Sequence, residues 1–131
     1  VLLQCTSPIR REGDIDKAIQ KLIDTNADSL FSSCVYRDTF WMNENGLKPI
    51  TYELNDYQSR FHQNAKPLIR ETGPINITRV EIFKKLRNRL GGKIETFELP
   101  WQYSLELHDE FDFWLAGKIM ERIEKENEKN K

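Results

Sequence analysis

Along this chain, short apolar runs alternate with segments in which apolar residues recur at helical spacing. Apolar runs at residues 1–4, 29–36, 74–77 and 93–99 predict strands. Between the first two runs, Asp14 is expected to cap a helix, because the apolar residues after it recur at spacings of three and four. Those residues are Ile15, Ala18, Ile19, Leu22 and Ile23. A strand, a helix and a second strand form a βαβ unit, so the pattern predicts an α/β fold.

The second half of the chain carries two more helical patterns. Residues 78–81, Thr-Arg-Val-Glu, indicate a capping box, and Gly91-Gly92 is expected to end the helix that it opens. The apolar side of this helix consists of Ile82, Phe83, Leu86 and Leu90. Asp109 is expected to cap a last helix after a short extended run at 105–108. Its apolar stripe consists of Phe113, Ala116, Ile119, Met120 and Ile123, and the charged tail 124–131 is expected to fray into solvent.

The segment from residue 40 to residue 66 departs from this rhythm. It begins as a hairpin that turns at Asn45-Gly46, a pair suited to positive φ, and continues as a polar, irregular stretch. It is either an exposed loop or an arm that packs on another subunit. The arm is favoured because many large apolar side chains would otherwise meet water. They are Phe40, Trp41, Tyr52, Tyr57 and Phe61.

The domain organisation follows from these patterns. Residues 1–131 are expected to form one partial α/β domain, with residues 40–66 inserted as an arm. Val1-Leu2-Leu3 has the character of a buried strand without a preceding turn. A chain with this opening is expected to begin inside a domain, so that any chemistry is completed by residues outside it.

Composition narrows the class of partner. The charged fraction of 31% and the hydrophobic fraction of 38% are typical of a globular protein and exclude a disordered chain. A net charge of −1 gives no electrostatic reason to expect a nucleic acid or a membrane surface as partner. No apolar run approaches a membrane span, and no signal peptide is evident. Cys5 and Cys34 are expected to be buried free thiols of a reducing compartment, which indicates a cytoplasmic protein.

Two loops are candidates for substrate binding. Residues 4–10 follow a strand, at the edge where open α/β sheets bind ligands, and they include Gln4, Thr6, Ser7 and Arg10. The alternative is an ordinary loop of turn-forming residues. Arg70 lies just before another strand, and its guanidinium suits a phosphate or a carboxylate. The alternative there is a surface arginine beside a turn.

A third candidate is the acidic segment from Glu106 to Asp112. Glu106 and His108 fall on one face of an extended run, followed by Asp109, Glu110 and Asp112. Clustered carboxylates repel one another unless a cation or an arginine is near, so a metal site in this segment is one hypothesis. The alternative is that the last three acids favour the start of a helix. That alternative does not explain Glu106.

In this order, the segments resemble the acylneuraminate cytidylyltransferases, the CMP-sialic acid synthetase family. Residues 2–10 look like the family's L-L-Q-P/C-T-S-P-L-R loop, and residues 27–32 are similar to its A-D-S-V-x-S strand. Residues 70–78 resemble R-E-N-G-A-I-Y-I-T. Residues 91–93 resemble its G-G-R element, and residues 104–113 resemble S-I-D-I-D-T-E-L-D-F. The similarity runs nearly from end to end.

The resemblance implies an incomplete Rossmann-like nucleotidyltransferase domain with three α/β/α layers. In the family, the hydroxyl of an acidic 2-keto sugar attacks the α-phosphate of CTP and releases pyrophosphate, with Mg²⁺ on the phosphates. The resemblance places Gln4, Thr6, Ser7 and Arg10 in the substrate loop and turns Arg70 toward the site. It also implies a homodimer in which the arm at 40–66 reaches the neighbouring site.

The chain departs from the family pattern at several positions. The Gly-rich basic loop that holds the triphosphate is absent, and the two metal-binding aspartates correspond to Glu106 and His108. An imidazole ligand suggests Mn²⁺ or Co²⁺ beside Mg²⁺. Thr72, Asn76 and His62 stand where the family has other residues, which suggests a different acidic sugar. A further alternative is a non-catalytic dimerisation module derived from such an enzyme.

Overall fold

The computed structural model describes residues 1–129. They form a mixed α/β structure of three α-helices, one three-stranded sheet and one hairpin. The helices are α1 (Asp14–Asp24), α2 (Val80–Leu86) and α3 (Glu110–Lys129), and the strands are β1 (Ser29–Tyr36), β2 (Trp41–Asn43), β3 (Leu47–Pro49), β4 (Leu68–Thr78) and β5 (Ile94–Glu98). The chain divides into two compact units. The first unit combines Val1–Cys34 with the residues from Glu71 onward, and the second unit is Val35–Arg70.

The main sheet has the strand order β4-β1-β5. β1 and β5 are parallel, with Ser29 opposite Ile94. β4 runs antiparallel to β1, because Thr72 contacts Ser32 whereas Arg79, further along, donates its N–H to Asp28 O at 2.9 Å. The strands predicted at 29–36, 74–77 and 93–99 are therefore present, and the α/β class is confirmed.

The first apolar run differs from its prediction. It forms a single antiparallel bridge, between Leu2 and Asn76, and no longer ladder. Val1, Leu2 and Leu3 are all exposed rather than buried. The physical reason is that one backbone pair leaves the segment at the edge of the sheet, where its side chains meet no covering layer within the described residues.

The core of the first unit lies between α1 and the sheet. Ala18 and Leu22 of α1 pack against Ala27, Leu30, Ile75 and Ile77, with Ile15, Ile19 and Phe97 partly buried around them. This confirms the predicted helical face except at Ile23, which is exposed. The helix begins after Gly13, which has a φ of 77° and serves as N-cap, so the prediction that Asp14 is the cap is wrong by one residue.

The helix α2 is shorter and more exposed than its prediction. The capping box does not form, because Thr78 ends β4 and its hydroxyl donates to the carbonyl of Arg89. Arg79 takes the N-cap position without a side-chain hydrogen bond. The helix ends at Leu86 because Arg87 adopts a φ of 52°, well before Gly91-Gly92. None of its residues is buried.

The helix α3 confirms its predicted cap. Asp109 Oδ1 accepts a hydrogen bond from Asp112 N at 2.9 Å. The buried side is centred on Ala116 and Ile119, whereas Phe113 and Met120 of the predicted stripe are exposed. The helix continues to Lys129, so the tail is helical that far, and positions 130 and 131 lie outside the described residues. Within the described part of the chain, no helix is long and apolar enough to cross a membrane.

The second unit contains the predicted hairpin. β2 and β3 pair antiparallel, and the turn places Asn45 at φ 55° and Gly46 at φ 119°, as expected for this pair. Tyr52 is its buried aromatic residue, with the Trp41 ring 5.8 Å away edge-on and the Arg60 guanidinium over its face at 5.5 Å.

The two cysteines differ in environment. Both Cys5 and Cys34 are free thiols, as predicted. Cys34 is buried, but Cys5 is exposed, so the prediction of burial is wrong for Cys5. The reason is that Cys5 lies in a turn after the edge segment rather than inside a strand.

Candidate functional site

Three segments that are distant in sequence meet at Gly73 on β4. The first is the loop after the apolar run, where Gln4 N donates to Gly73 O at 3.2 Å and Ser7 N donates to Gln4 O at 3.2 Å. The side chains of Gln4 and Ser7 lie directly over the Gly73 Cα. A Cβ at Gly73 would overlap Gln4 Oε1 and Ser7 Oγ, and it would lie 2.8 Å from Gln4 Cδ. Glycine is therefore required for this close approach.

The second segment is the strand beneath the loop. Thr72 Oγ1 donates to Ser32 O at 2.8 Å, and Ser32 Oγ donates to Thr72 O at 3.0 Å. Ile75 N donates to Ser32 Oγ at 3.0 Å, so a hydroxyl replaces the usual carbonyl partner. These buried bonds hold β4 against β1 on both sides of Gly73. Sequence reasoning missed Ser32, and the signal for it was a polar pair, Ser32-Ser33, inside an apolar strand.

The third segment brings Glu106 to the same point. Glu106 Oε1 accepts a hydrogen bond from Gly73 N at 2.8 Å, and Leu107 N donates to Thr6 O at 2.7 Å. The Glu106 side chain is only 21% exposed. These bonds explain the acid that helix capping left unexplained. The largely buried carboxylate of Glu106 holds the extended segment at 105–108 to β4, and the Leu107 N–H holds it to the loop at residues 4–10.

His108 lies between two carboxylates. Its Nε2 is 3.8 Å from Glu106 Oε2, and its Nδ1 is 3.5 Å from Asp112 Oδ2. His108 N also donates to Asp112 Oδ2 at 2.9 Å, which fixes the backbone at the start of α3. The imidazole itself is 69% exposed. It is the solvent-facing member of the predicted metal pair, and Glu106 is the inner one.

Glu106 and His108 could supply only part of the ligand set that a cation needs. Glu106 Oε2 and His108 Nε2 are 3.8 Å apart, less than two bonds of about 2.1 Å, so one ion could contact both. Asp109 is already used as the helix cap. Among the described residues, no group of three or more His, Cys, Asp or Glu side chains is arranged to hold a metal. A cation here would need most of its ligands from substrate oxygens and water.

The remaining predicted residues take less direct positions. Arg10 Nη1 donates to Ser7 O at 3.0 Å, so this guanidinium stabilises the loop to which it belongs. Thr6 contributes its carbonyl, which accepts from Leu107 N. Arg70 belongs to the second unit, where its Nη1 donates to Tyr36 Oη at 3.3 Å.

One polar atom at the site has no partner within the described protein. Ser7 is fully buried, and its Oγ makes no hydrogen bond there. A buried hydroxyl without a partner is costly, by about 1–3 kcal/mol. Ser7 Oγ and Gln4 Oε1 both lie over Gly73, whose N–H donates to Glu106 Oε1. The site therefore brings together an amide, a hydroxyl and a carboxylate. No family model matches the chain, and no curated protein matches it at a significant level.

Proposed function

We propose that this chain forms part of a nucleotidyltransferase that joins CTP to an acidic 2-keto sugar similar to sialic acid, giving the CMP-sugar and pyrophosphate. The observation that supports this most is the meeting at Gly73 of the substrate loop, the strand β4 and the segment at 105–108. These are the parts of the chain that carry the resemblance to the cytidylyltransferases. The proposal includes a Rossmann-like domain of three layers and a cytoplasmic location.

In this proposal the substrate loop binds the sugar. The Gln4 amide can donate and accept, so it can hold hydroxyl or carboxylate oxygens of the sugar. The Ser7 hydroxyl is fully buried beside it and has no partner within the described protein, so it contacts the sugar only if the loop opens. Arg10 stabilises the loop by donating a hydrogen bond to Ser7 O. For Arg70, a contact with the sugar carboxylate or a phosphate remains what the resemblance implies, since a guanidinium suits either group.

Glu106 and His108 hold the metal in this proposal. When bound, Mg²⁺ neutralises the phosphate charge that develops during transfer. Glu106 offers Oε2 while Oε1 stays on Gly73 N, so ligation and positioning use different oxygens of one carboxylate. An imidazole suits Mn²⁺ or Co²⁺ better than Mg²⁺, so we expect those ions to be preferred.

The test is a pyrophosphate-release assay on the full-length protein, with CTP and N-acetylneuraminic acid or a related acidic sugar. Glu106→Gln is the decisive variant, because its amide oxygen still accepts from Gly73 N while the negative charge is lost. We expect it to abolish release without unfolding the protein. His108→Asp should shift the preference toward Mg²⁺. The matched control is Glu110→Gln, an exposed acid at the start of α3, which should keep the wild-type rate.

Two results of this assay would contradict the proposal. If Glu106→Gln kept the wild-type rate, Glu106 would not hold a catalytic metal. If no acidic 2-keto sugar supported pyrophosphate release with any divalent ion, the transferase assignment would fail.

A second candidate function is a non-catalytic dimerisation module. It is favoured by the large side chains that the second unit leaves exposed, among them Trp41, Leu47, Leu54, Tyr57 and Phe61. In either case we propose a homodimer formed through residues 40–66. Sedimentation should give a dimer, and deletion of that segment should give a monomer that keeps the first unit folded. A monomer before any deletion would contradict the role of the arm.

A further inference from the structure

The helix α3 has a packed side and an exposed side. Ala116 and Ile119 on the packed side are buried in a core cluster. On the exposed side, Phe111, Phe113 and Trp114 are 66%, 71% and 55% exposed within the described part of the chain. Aromatic side chains gain stability when they are removed from water, and a contiguous exposed group of them marks an interaction site. The exposed side of α3 therefore has the composition of a binding surface.

The aromatic side chains of this surface lie beside an open position. Phe111 and Trp114 stack with their ring centroids 5.5 Å apart. One turn after Phe113 and Trp114, a Cβ at Gly117 would meet nothing within 4 Å. A shallow groove of about 390 Å³ runs along this side of the helix, and it is lined by Glu110, Phe113, Trp114, Gly117, Lys118 and Glu121. Glycine is unfavourable inside a helix, so an open position here favours a side chain that enters from outside.

We propose that this surface binds the same surface of a second copy of the chain, with the two α3 helices antiparallel and crossing at Trp114. A two-fold axis at the crossing places each residue level with the one that lies equally far beyond Trp114 in the other copy. Phe111 of one copy then lies level with Gly117 of the other, so a large side chain meets the open position. Glu110 lies level with Lys118, so opposite charges meet.

A single register provides both kinds of complementarity. Phe111 and Gly117 are each three positions from Trp114, and Glu110 and Lys118 are each four positions from it. A parallel pair of helices in register would instead place each residue beside its own copy, so that like charges meet and repel. The order of residues along α3 therefore favours the antiparallel arrangement.

The charges of this surface are free to change partners. Lys118 Nζ donates to Glu121 Oε1 at 2.9 Å, but both side chains are more than half exposed. An exposed ion pair contributes little stability, so Lys118 can turn to Glu110 of the other copy at little cost.

The size of the surface predicts a weak association. The aromatic side chains of both copies would bury on the order of 600–900 Å², less than the roughly 1,200–2,000 Å² of stable interfaces. We therefore expect a dissociation constant in the micromolar range. The surface shares no residue with the arm at 40–66 or with the site at Gly73, so this inference is independent of the proposed function.

The first experiment is a disulfide cross-link between two single variants. Glu110→Cys and Lys118→Cys are made together with Cys5→Ser, because Cys5 is an exposed thiol, and the two proteins are oxidised as a mixture. We expect a covalent dimer that joins one variant to the other. Each variant alone should give little dimer, because its cysteine lies eight positions, about 12 Å, from its own copy, which is too far for a disulfide. The matched control mixes Glu110→Cys with Lys125→Cys, seven positions beyond Lys118, and should also give little dimer.

Sedimentation of the chain at a series of concentrations measures the strength of the association. Trp114→Gln should weaken it by about tenfold or more, because Trp114 lies at the centre of the interface. Trp101→Gln is the matched control, since Trp101 is 60% exposed but lies outside α3, and it should have no effect. Glu110→Lys and Lys118→Glu should each weaken the association several-fold, and the double variant should restore it. Thermal unfolding at high dilution checks that these exposed substitutions leave the fold intact.

The cross-link reports on α3 alone, so its result does not depend on the arm or on the transferase assignment. The inference is overturned if the mixture of Glu110→Cys and Lys118→Cys gives no more dimer than either variant alone. It is also overturned if Trp114→Gln associates as strongly as Trp101→Gln. Flotation with phosphatidylcholine vesicles tests a lipid surface as the occupant. We expect no flotation, and vesicle binding that Trp114→Gln abolishes would contradict a second copy as the partner.

Discussion

The two compact units differ in whether their apolar residues form a closed core. The first unit removes Ala18, Leu30 and Ile75 from solvent completely, in one cluster between α1 and the sheet. The second unit buries one aromatic side chain, Tyr52, and leaves Trp41 exposed at 47%, Leu47 at 68% and Tyr57 at 69%. The first unit therefore carries a core that can hold a site in place, although it also exposes large side chains such as Phe113 and Trp114. The second unit has one buried aromatic residue and a mostly exposed apolar surface, which is suited to a partner.

This difference matters because the residues at Gly73 depend on short contacts. Gln4, Ser7 and Glu106 all approach the same backbone position, and a shift of an ångström would separate them. Such a site needs a packed support, which α1 and the paired hydroxyls of Ser32 and Thr72 provide.

The largest expected effect tests the contrast in packing. Leu30→Ala should lower the free energy of unfolding by about 2–5 kcal/mol, because it opens a cavity in the closed core. Leu54→Ala, which removes the same atoms from an exposed position of the second unit, should change it by no more than about 0.5 kcal/mol. Chemical denaturation measures both. Equal effects would mean that the second unit relies on its apolar residues as much as the first does.

A smaller effect is expected at Gly73. Gly73→Ala places a Cβ against Gln4 Oε1 and Ser7 Oγ, so both side chains must shift. We expect a loss of stability of about 1–3 kcal/mol, as for modest overpacking, together with loss of ligand binding by the displaced side chains. The matched control is Gly117→Ala in α3, where a Cβ meets nothing within 4 Å. It should raise stability by about 0.5–1 kcal/mol. An unchanged Gly73→Ala protein would show that the close approach is not required.

The smallest effect concerns an ion pair of the second unit. Lys66 Nζ donates to Glu53 Oε1 at 2.8 Å, and this hydrogen bond and the charge of Lys66 lower the pKa of Glu53 below its ordinary value. A lowered carboxyl pKa contributes stability above the ordinary value, and that contribution is lost as the pH falls through the folded pKa. Because both side chains are well exposed, the change should be slight.

An NMR pH titration of the Glu53 carboxyl carbon measures this shift. The midpoint should lie below the ordinary value of 4.5 in the wild type and return toward it in Lys66→Met. Lys48→Met, an exposed lysine of the same unit, should leave the midpoint unchanged. A wild-type midpoint at or above 4.5 would contradict the pairing.

The two shorter helices show how far periodicity predicts structure. Both were predicted from apolar residues at helical spacing, and only α1 buries them. α1 faces Leu30 and Ile75 on the sheet, so its spacing matches a real packing surface. α2 has the same kind of spacing but ends at Leu86, and it buries no residue. The helix stops because the next residue, Arg87, has a positive φ that no local sequence pattern predicts. Periodicity predicts which side of a helix is apolar, but the tertiary fold decides whether anything covers it.

The residues of the candidate site could be predicted from the sequence, but the contacts between them could not. Gln4, Ser7 and Glu106 stood out as residues, and resemblance grouped their segments. Their link through Gly73 depends on a backbone N–H and a missing Cβ, which no side-chain pattern records. The role of Glu106 as a bond to Gly73 N was equally hidden, because its partner is 33 positions away.

The central claim is that the three segments at Gly73 form one substrate site. It is tested most directly by NMR titration of the isotopically labelled chain with N-acetylneuraminic acid, with glucose as the neutral control sugar. The account predicts that the backbone amides of Ser7, Gly73 and Leu107 shift together with one dissociation constant, and that Gly73→Ala loses the response. Glucose should produce no such shifts. Saturable shifts confined to amides remote from Gly73, or no shifts up to the solubility limit of the acidic sugar, would contradict it.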